Sequence, residues 1–241
     1  MKNKWFSASL VIACVVLLSG FGFASACLSG TMADYTAVPG FTCTVANPNN
    51  PNDVKTFSNW FYQGTANPSN FALPASSVGV VPVVYGFRFS APWSVGTSLG
   101  ILSMNSDIDY GVTVTGGTIT DVSLAIGGYS FSGTGSIRVD ETLCIGALFG
   151  ANGSCSGTLD QLHVFDNSNG LVAFNEITFA GVTQVGVEKD ILLDAGTNGS
   201  ASLSLVLNNV SEGTTPEPSS ILLFGSGALA LAGVLRRKLK H

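Results

Sequence analysis

Apolar residues alternate with polar residues along most of the chain between positions 27 and 213. Three segments show this most clearly, Val112–Thr115, Val122–Ile126 and Leu203–Leu207. A period of two places every second side chain on the same face, as in a half-buried β-strand. No window has the 3.6-residue period of a long amphipathic helix. The region is therefore predicted to be all-β.

Pairs of turn-forming residues separate the alternating segments, and they supply the positive φ angles that tight hairpins need. These pairs are Gly116-Gly117, Gly127-Gly128, Asn152-Gly153, Asn169-Gly170 and Asn198-Gly199. We predict about ten strands, in segments 35–45, 54–62, 78–90, 98–115 (broken), 118–126, 136–146, 156–166, 171–179, 182–193 and 201–209. Short strands at regular spacing favour a single antiparallel β-sandwich or jelly-roll-like domain.

Two segments are predicted to lie outside the strands. The stretch Val45–Asp53 is rich in Asn and Pro and is predicted to be a loop. Ser211–Ser219 is predicted to be the linker that leads out of the domain.

The N-terminus has the three parts of a secretory signal peptide. Lys2 and Lys4 precede the apolar stretch Leu10–Leu18, and Ala24-Ser25-Ala26 forms a small-residue cleavage site. Signal peptidase would remove residues 1–26 and leave Cys27 as the first residue. Two alternatives are lipidation of Cys27 and retention of the N-terminal segment as an anchor.

The C-terminus contains a second apolar segment, Ser219–Leu235, whose 17 residues carry no charge. As a helix it spans roughly 25 Å, slightly less than the hydrocarbon core of about 30 Å. We predict a transmembrane helix here. The basic residues that follow it should stay on the cytoplasmic side, which places the domain before it outside. They are Arg236, Arg237, Lys238 and Lys240.

Pro216, Glu217 and Pro218 stand directly before this apolar segment. The three-residue motif, the short apolar span and the basic end together resemble the PEP-CTERM sorting signal. The resemblance implies processing by an exosortase, a membrane-embedded transpeptidase-like enzyme, after transient anchoring in the inner membrane. It implies a final location at the cell surface or in the extracellular matrix. An ordinary tail anchor without processing is the alternative.

The resulting domain organisation is a signal peptide (1–26), a β-sandwich ectodomain (27–213) and a sorting signal (214–241). The ectodomain also resembles exported proteins of unknown activity that carry the same tail, through Phe57–Tyr62 and Glu141–Cys144 among other segments. This second resemblance implies no activity.

The exported part is strongly acidic. Between Cys27 and Thr215 there are four cationic residues and 14 acidic residues, a net charge of −10. Nucleic-acid binding depends on neutralising phosphates with Lys and Arg, so a nucleic-acid partner is not expected.

Four cysteines remain after the signal peptide, and four cysteines permit three disulfide pairings. Pairing within short loops is favoured, which gives Cys27–Cys43 and Cys144–Cys155, each worth about 2–3 kcal/mol. A zinc site is the competing interpretation. The region has no C-x-x-C motif and a single histidine, His163, which argues against zinc.

One segment of the chain has the residue spacing of a catalytic motif. Gly96–Gly100 matches G-x-S-x-G, so Ser98, an Asp and His163 could be written as a hydrolase triad. A nucleophile elbow lies between a buried parallel strand and a helix, whereas the residues after Gly100 lead into another strand. No enzyme is predicted, and a secreted hydrolase is a distant alternative.

Asp107 and Asp109 are the candidate metal ligands, because carboxylate oxygens on one strand face suit Ca²⁺. Alternate carboxylates on a strand are more commonly solvated. No cofactor is expected, and calcium is the minor alternative.

Trp60 and Trp93 are the candidate glycan contacts, since exposed aromatic rings stack on sugars. Burial in the core of a large sheet is the favoured interpretation of both side chains. We expect a structural or adhesive protein of a polysaccharide-rich envelope or biofilm, with exopolysaccharide as a partner. A carbohydrate-binding, lectin-like module is the alternative.

Overall fold

The computed structural model of the protein describes residues 25–47 and 50–213. Fifteen strands lie in these residues, and the α-helix among them, α1, covers only Met32–Thr36. The strands are β1 Ser25–Ala26, β2 Gly30–Thr31, β3 Cys43–Asn47, β4 Asn50–Asn67, β5 Gly79–Val83, β6 Gly86–Gly96, β7 Ser103–Thr115, β8 Thr118–Gly127, β9 Ser130–Ser132, β10 Ser136–Ile145, β11 Thr158–Asn167, β12 Gly170–Val172, β13 Phe174–Val182, β14 Gln184–Asp194 and β15 Ser200–Gly213. The predicted all-β class is confirmed.

The strands form two sheets that pack face to face. Sheet I has the order β1-β3-β4-β7-β14-β10-β11-β12. Sheet II has the order β13-β8-β15-β6-β5-β2, and β9 pairs with β15. The pair β1–β3 is parallel and the other pairs are antiparallel. The predicted antiparallel sandwich is therefore present.

Three local predictions need correction. The predicted strand 35–45 begins within α1, whose start is capped by Asp34 Oδ2 accepting from the Thr31 backbone NH at 2.7 Å. The predicted strand 78–90 is the hairpin β5–β6. The predicted loop at 45–53 is largely strand, because β3 continues to Asn47 and β4 starts at Asn50.

The end of the domain also differs from the prediction. Residues 211–213, expected to begin the linker, belong to β15, which pairs with β8 as far as Gly213 and Thr118. The last strand therefore reaches the residue directly before the predicted sorting signal.

Aromatic rings fill the space between the sheets at one end of the core. Trp60 stacks on Tyr110 with 5.0 Å between the ring centroids, and Phe57 meets Phe87 edge-on at 4.6 Å. Such pairs contribute about 0.5–1.5 kcal/mol each beyond the area that they bury.

Two ion pairs are also buried. Lys189 and Glu141 occupy opposite positions on β14 and β10, and their side chains are in contact. Lys55 of β4 pairs with Glu212 of β15 at 3.1 Å and so connects the two sheets.

Across residues 25–47 and 50–213, no helix is both long enough and apolar enough to cross a membrane. The predicted transmembrane segment 219–235 lies outside the described residues, as does the signal peptide apart from Ser25 and Ala26. Those two residues form β1.

Candidate functional site

The outward face of sheet I carries a group of polar residues on five adjacent strands. Register pairing across β4, β7, β14, β10 and β11 aligns them in two rows. One row is Phe61, Asp109, Glu188, Thr142 and Gln161. The next row is Gln63, Asp107, Asp190, Asp140 and His163. We call these ten residues the acidic face.

Alternation along each strand explains why these residues share one side. In β7 the side chains of Asp107 and Asp109 are partly exposed, whereas Ser106, Ile108 and Tyr110 between and beside them are buried. Inward side chains supply the core, and outward ones are free to be polar.

Three pairs of carboxylates stand directly opposite each other, Asp109 with Glu188, Asp107 with Asp190 and Asp190 with Asp140. Burial raises the pKa of Asp109 to about 7, and the negative charges of Glu188 and Asp107 add to this rise. Burial also raises the pKa of Asp107, Glu188 and Asp190. Opposed like charges are destabilising in a sheet, so this face favours protons or hydrogen-bond donors.

Asp140 differs from the other carboxylates because cationic or titratable side chains hold both of its oxygens. Arg138 Nε donates to Oδ2 at 2.7 Å, and His163 Nδ1 lies 2.7 Å from Oδ1. Gln161 Nε2 donates to Thr142 Oγ1 at 3.3 Å beside this group.

A depression of about 470 Å³ lies over the acidic face. Its lining includes Phe61, which is 47% exposed, together with Thr142, Gln161 and the five carboxylates. A second depression of about 230 Å³ adjoins it and shares Phe61, Asp109 and Glu188. An apolar ring, acceptor oxygens and one side-chain amide thus meet in one shallow cleft.

Both predicted glycan contacts lie elsewhere. Trp93 is 1% exposed, and its indole Nε1 donates to Ser106 Oγ at 3.0 Å within the core. Burial, the favoured interpretation for Trp93, is what the structure has, and the ring is not exposed for stacking on a sugar. Trp60 is partly buried and packs against Tyr35, Phe87 and Tyr110.

A β-bulge in β4 explains why Phe61, which the sequence did not single out, occupies the surface. The register shifts between Ser58 and Phe61, and Asn59 adopts a positive φ of 57°. The extra residue turns Trp60 inward and Phe61 outward. Asn59 follows a polar residue in an aromatic segment, and this is the signal that could have indicated the shift.

The residues of the hypothetical hydrolase triad are not brought together. Ser98 lies in the turn after β6 of sheet II, whereas His163 lies on β11 of sheet I and contacts Asp140. No hydrogen bond within the described part of the chain joins Ser98 to His163.

The two predicted disulfides, Cys27–Cys43 and Cys144–Cys155, are present. The first uses the Cys27 sulfur, which lipidation would also need, so the lipoprotein alternative is incompatible with this pairing. With all four thiols in disulfides, none is available as a zinc ligand.

Asp107 and Asp109, the candidate calcium ligands, are both in the acidic face. Among the described residues, no group of three or more His, Cys, Asp or Glu side chains is arranged to hold a metal ion.

A structure of TmCBM61 in complex with beta-1,4-galactotriose is similar at 8% sequence identity, with 62% of this chain and 88% of that chain covered. The TM-score is 0.31, so the similarity supports no conclusion about function. No curated protein matches the chain.

Residues 214–238 match the family described as the PEP-CTERM protein-sorting motif. The match contains Pro216, Glu217 and Pro218, the apolar span and three of the four basic residues predicted to stay cytoplasmic. The motif implies processing by an exosortase at the membrane. This chain is thus an exported protein with a PEP-CTERM sorting motif, sorted to the cell surface or the extracellular space.

Proposed function

We propose that the exported domain is a non-catalytic adhesive protein that binds a neutral, hydroxyl-rich polysaccharide through the acidic face. The observation that carries the proposal is the position of the exposed Phe61 ring, opposite Asp109 on the neighbouring strand. The ring and the carboxylates border the same depression.

This combination suits the two sides of a sugar ring. The apolar C–H side of a sugar packs on an aromatic ring, in the way that aromatic surfaces bury apolar area. The hydroxyl groups donate to carboxylates, and hydrogen bonds to charged groups are stronger than neutral ones. Asp107, Asp109, Glu188 and Asp190 line the depression and form no ion pair within the described residues. We infer that carboxylate oxygens of this set accept the hydrogen bonds of the sugar hydroxyls.

The charge of the face selects among polymers. Five carboxylates repel polyanions, which disfavours uronic-acid polymers and nucleic acids as ligands. Thr142 and Gln161 add neutral polar groups at one side of the cleft. A neutral polysaccharide provides hydroxyl donors without that repulsion.

The test is affinity gel electrophoresis of the exported protein against a panel of neutral and uronic-acid-containing polysaccharides. At least one neutral polymer should retard the wild type. Phe61→Ala should weaken that binding by roughly two- to tenfold, because an aromatic contact contributes about 0.5–1.5 kcal/mol.

Phe174→Ala is the matched control. Phe174 is also an exposed phenylalanine on a strand, but it lies on β13 at the edge of sheet II. Its replacement should leave retardation unchanged. Equal retardation of Phe61→Ala and wild type would contradict the proposed site, and absence of binding to every neutral polymer would contradict the function.

We also propose the route by which the domain reaches its destination. Signal peptidase would release residues 1–26, and the segment 219–235 would hold the chain in the inner membrane until an exosortase acts near Pro216–Pro218. The domain would then contact exopolysaccharide outside the cell. The match at residues 214–238 supports this route.

A further inference from the structure

An amine, a carboxylate and a carboxamide meet in the interior of the sandwich. Lys189 of β14 contacts Glu141 Oε2, and the other carboxylate oxygen, Oε1, accepts from Asn208 Nδ2 of β15 at 2.9 Å. Lys189 is 1% exposed, and Glu141 and Asn208 are completely buried. The lysine amine and the asparagine amide are thus bound to the two oxygens of a single carboxylate.

We propose that Lys189 and Asn208 become joined by an intramolecular isopeptide bond inside the folded domain, with Glu141 carrying the proton and Tyr110 activating the amide. This inference is independent of polysaccharide binding, because it uses the opposite faces of β7, β14 and β10. No residue of the acidic face takes part in it.

The amine has the properties of a nucleophile. Burial lowers the pKa of Lys189 well below its usual range, which favours the neutral form with a free electron pair. The contact with Glu141 offers the departing proton an acceptor. Moving that proton leaves two neutral groups and removes the cost of two buried charges.

Hydrogen bonds hold both polar atoms of the Asn208 amide. The Tyr110 hydroxyl donates to Asn208 Oδ1, and Asn208 Nδ2 donates to the Ser123 carbonyl oxygen at 3.0 Å as well as to Glu141. A donor on the carbonyl oxygen stabilises the negative charge that develops there when the carbon is attacked. Burial raises the pKa of Tyr110, so its hydroxyl stays protonated and keeps donating.

The reaction balances without a further reactant. The Lys189 Nζ electron pair attacks Asn208 Cγ and forms the new C–N bond. A proton passes from Nζ through Glu141 to Nδ2, the Cγ–Nδ2 bond breaks, and ammonia leaves. The product is a neutral amide, and no atom is oxidised or reduced. The enclosing core excludes water, which would otherwise compete as the nucleophile.

The position of the bond gives it a mechanical consequence. It would tie β14 of sheet I to β15 of sheet II, and β15 packs across the sandwich on β10 and β14. β15 is also the strand that leads directly into the sorting motif at residue 214. A pull applied at the C-terminal attachment would thus pass into both sheets through a covalent bond.

Peptide mapping of the exported wild-type protein, expressed from the full chain and reduced before digestion, tests the proposal. Lys189 is the single tryptic site between Arg138 and Gly213, and an acylated lysine is not cleaved. Trypsin should therefore leave this site intact. A second protease should release a branched peptide whose mass equals its two segments less one ammonia. Cleavage at Lys189 would overturn the proposal, and loss of water in a bond to Glu141 would overturn it as well.

Two variants test the roles of the individual groups. Glu141→Gln and Asn208→Leu should each restore complete cleavage at Lys189 and return the mass of one ammonia. The control is Asn209→Leu, which changes the neighbouring residue of β15 and should keep the branched peptide. A branched peptide that persists in Asn208→Leu would contradict the assignment of the amide.

Discussion

Asp109 and Glu188 face each other on neighbouring antiparallel strands, so two carboxylates stand side by side on the outward surface of sheet I. Neither forms an ion pair among the described residues. Burial and the Glu188 charge bring the pKa of Asp109 to about 7, which makes this pair sensitive to pH near neutrality.

This raised pKa predicts that the domain loses stability as the pH rises from about 4 to about 7. In that interval the unfolded state has released the Asp109 proton, whereas the folded state still binds it, so unfolding becomes progressively easier. Asp109→Asn should flatten the decline. Urea unfolding at several pH values measures this, with Asp160→Asn on exposed β11 as the control. Asp160→Asn should lose stability with pH as steeply as wild type. If Asp109→Asn loses stability equally steeply, the prediction is contradicted.

Trp93→Ala should destabilise the domain by about 3–5 kcal/mol, because it leaves a large cavity between the sheets. Trp93→Phe should cost less, since it keeps most of the ring volume and loses mainly the hydrogen bond to Ser106. Chemical unfolding curves give both values. Retardation by polysaccharide, measured on folded protein, should be the same for Trp93→Phe and wild type. If Trp93→Phe lost binding without losing stability, Trp93 would instead belong to the ligand site.

Removing either disulfide should cost about 3 kcal/mol. The bridges close short loops, with sequence separations of 16 for Cys27–Cys43 and 11 for Cys144–Cys155, so neither should dominate. Double Cys→Ser variants compared by urea unfolding measure the two contributions. If removing Cys27–Cys43 unfolds the domain and removing Cys144–Cys155 does not, the prediction of similar contributions is contradicted.

Replacing Pro216, Glu217 and Pro218 by alanine should block processing in a host that has the sorting enzyme. The chain should then remain in the membrane fraction, and its intact mass should still include residues 219–241. Ser219→Ala is the neighbouring control and should be released normally. Release of the triple variant with the same mature mass as wild type would show that the sorting enzyme does not need these three residues.

Local patterns were sufficient for several features of this protein. Alternation in Val112–Thr115 places its side chains on the correct faces, because a strand repeats every two residues whatever its neighbours. Both disulfides close short loops, and the pairing that the spacing favoured among three is the one present. The PEP-CTERM motif is likewise contained in contiguous residues.

Alternation failed where the strand register shifts. In β15 the shift between Leu203 and Leu205 buries Val206, whereas Leu205 and Leu207 are only partly buried. The shift in β4 has the larger consequence for the surface. Counting by twos from Phe57 points Trp60 outward and Phe61 inward, and the bulge at Asn59 reverses both. A bulge depends on how β4 pairs with β7, and that pairing is not visible in the sequence of β4.

The sequence by itself determined the all-β class, the favoured short-loop disulfides and the sorting motif. Only the tertiary structure decided which strands are neighbours, and hence that Asp109 meets Glu188 on the surface and that Lys189, Glu141 and Asn208 meet inside. The physical reason is that strand order and register follow from packing between residues far apart in the chain. Alternation assigns each side chain to a face of the sheet, but it does not determine which residue lies opposite on the neighbouring strand.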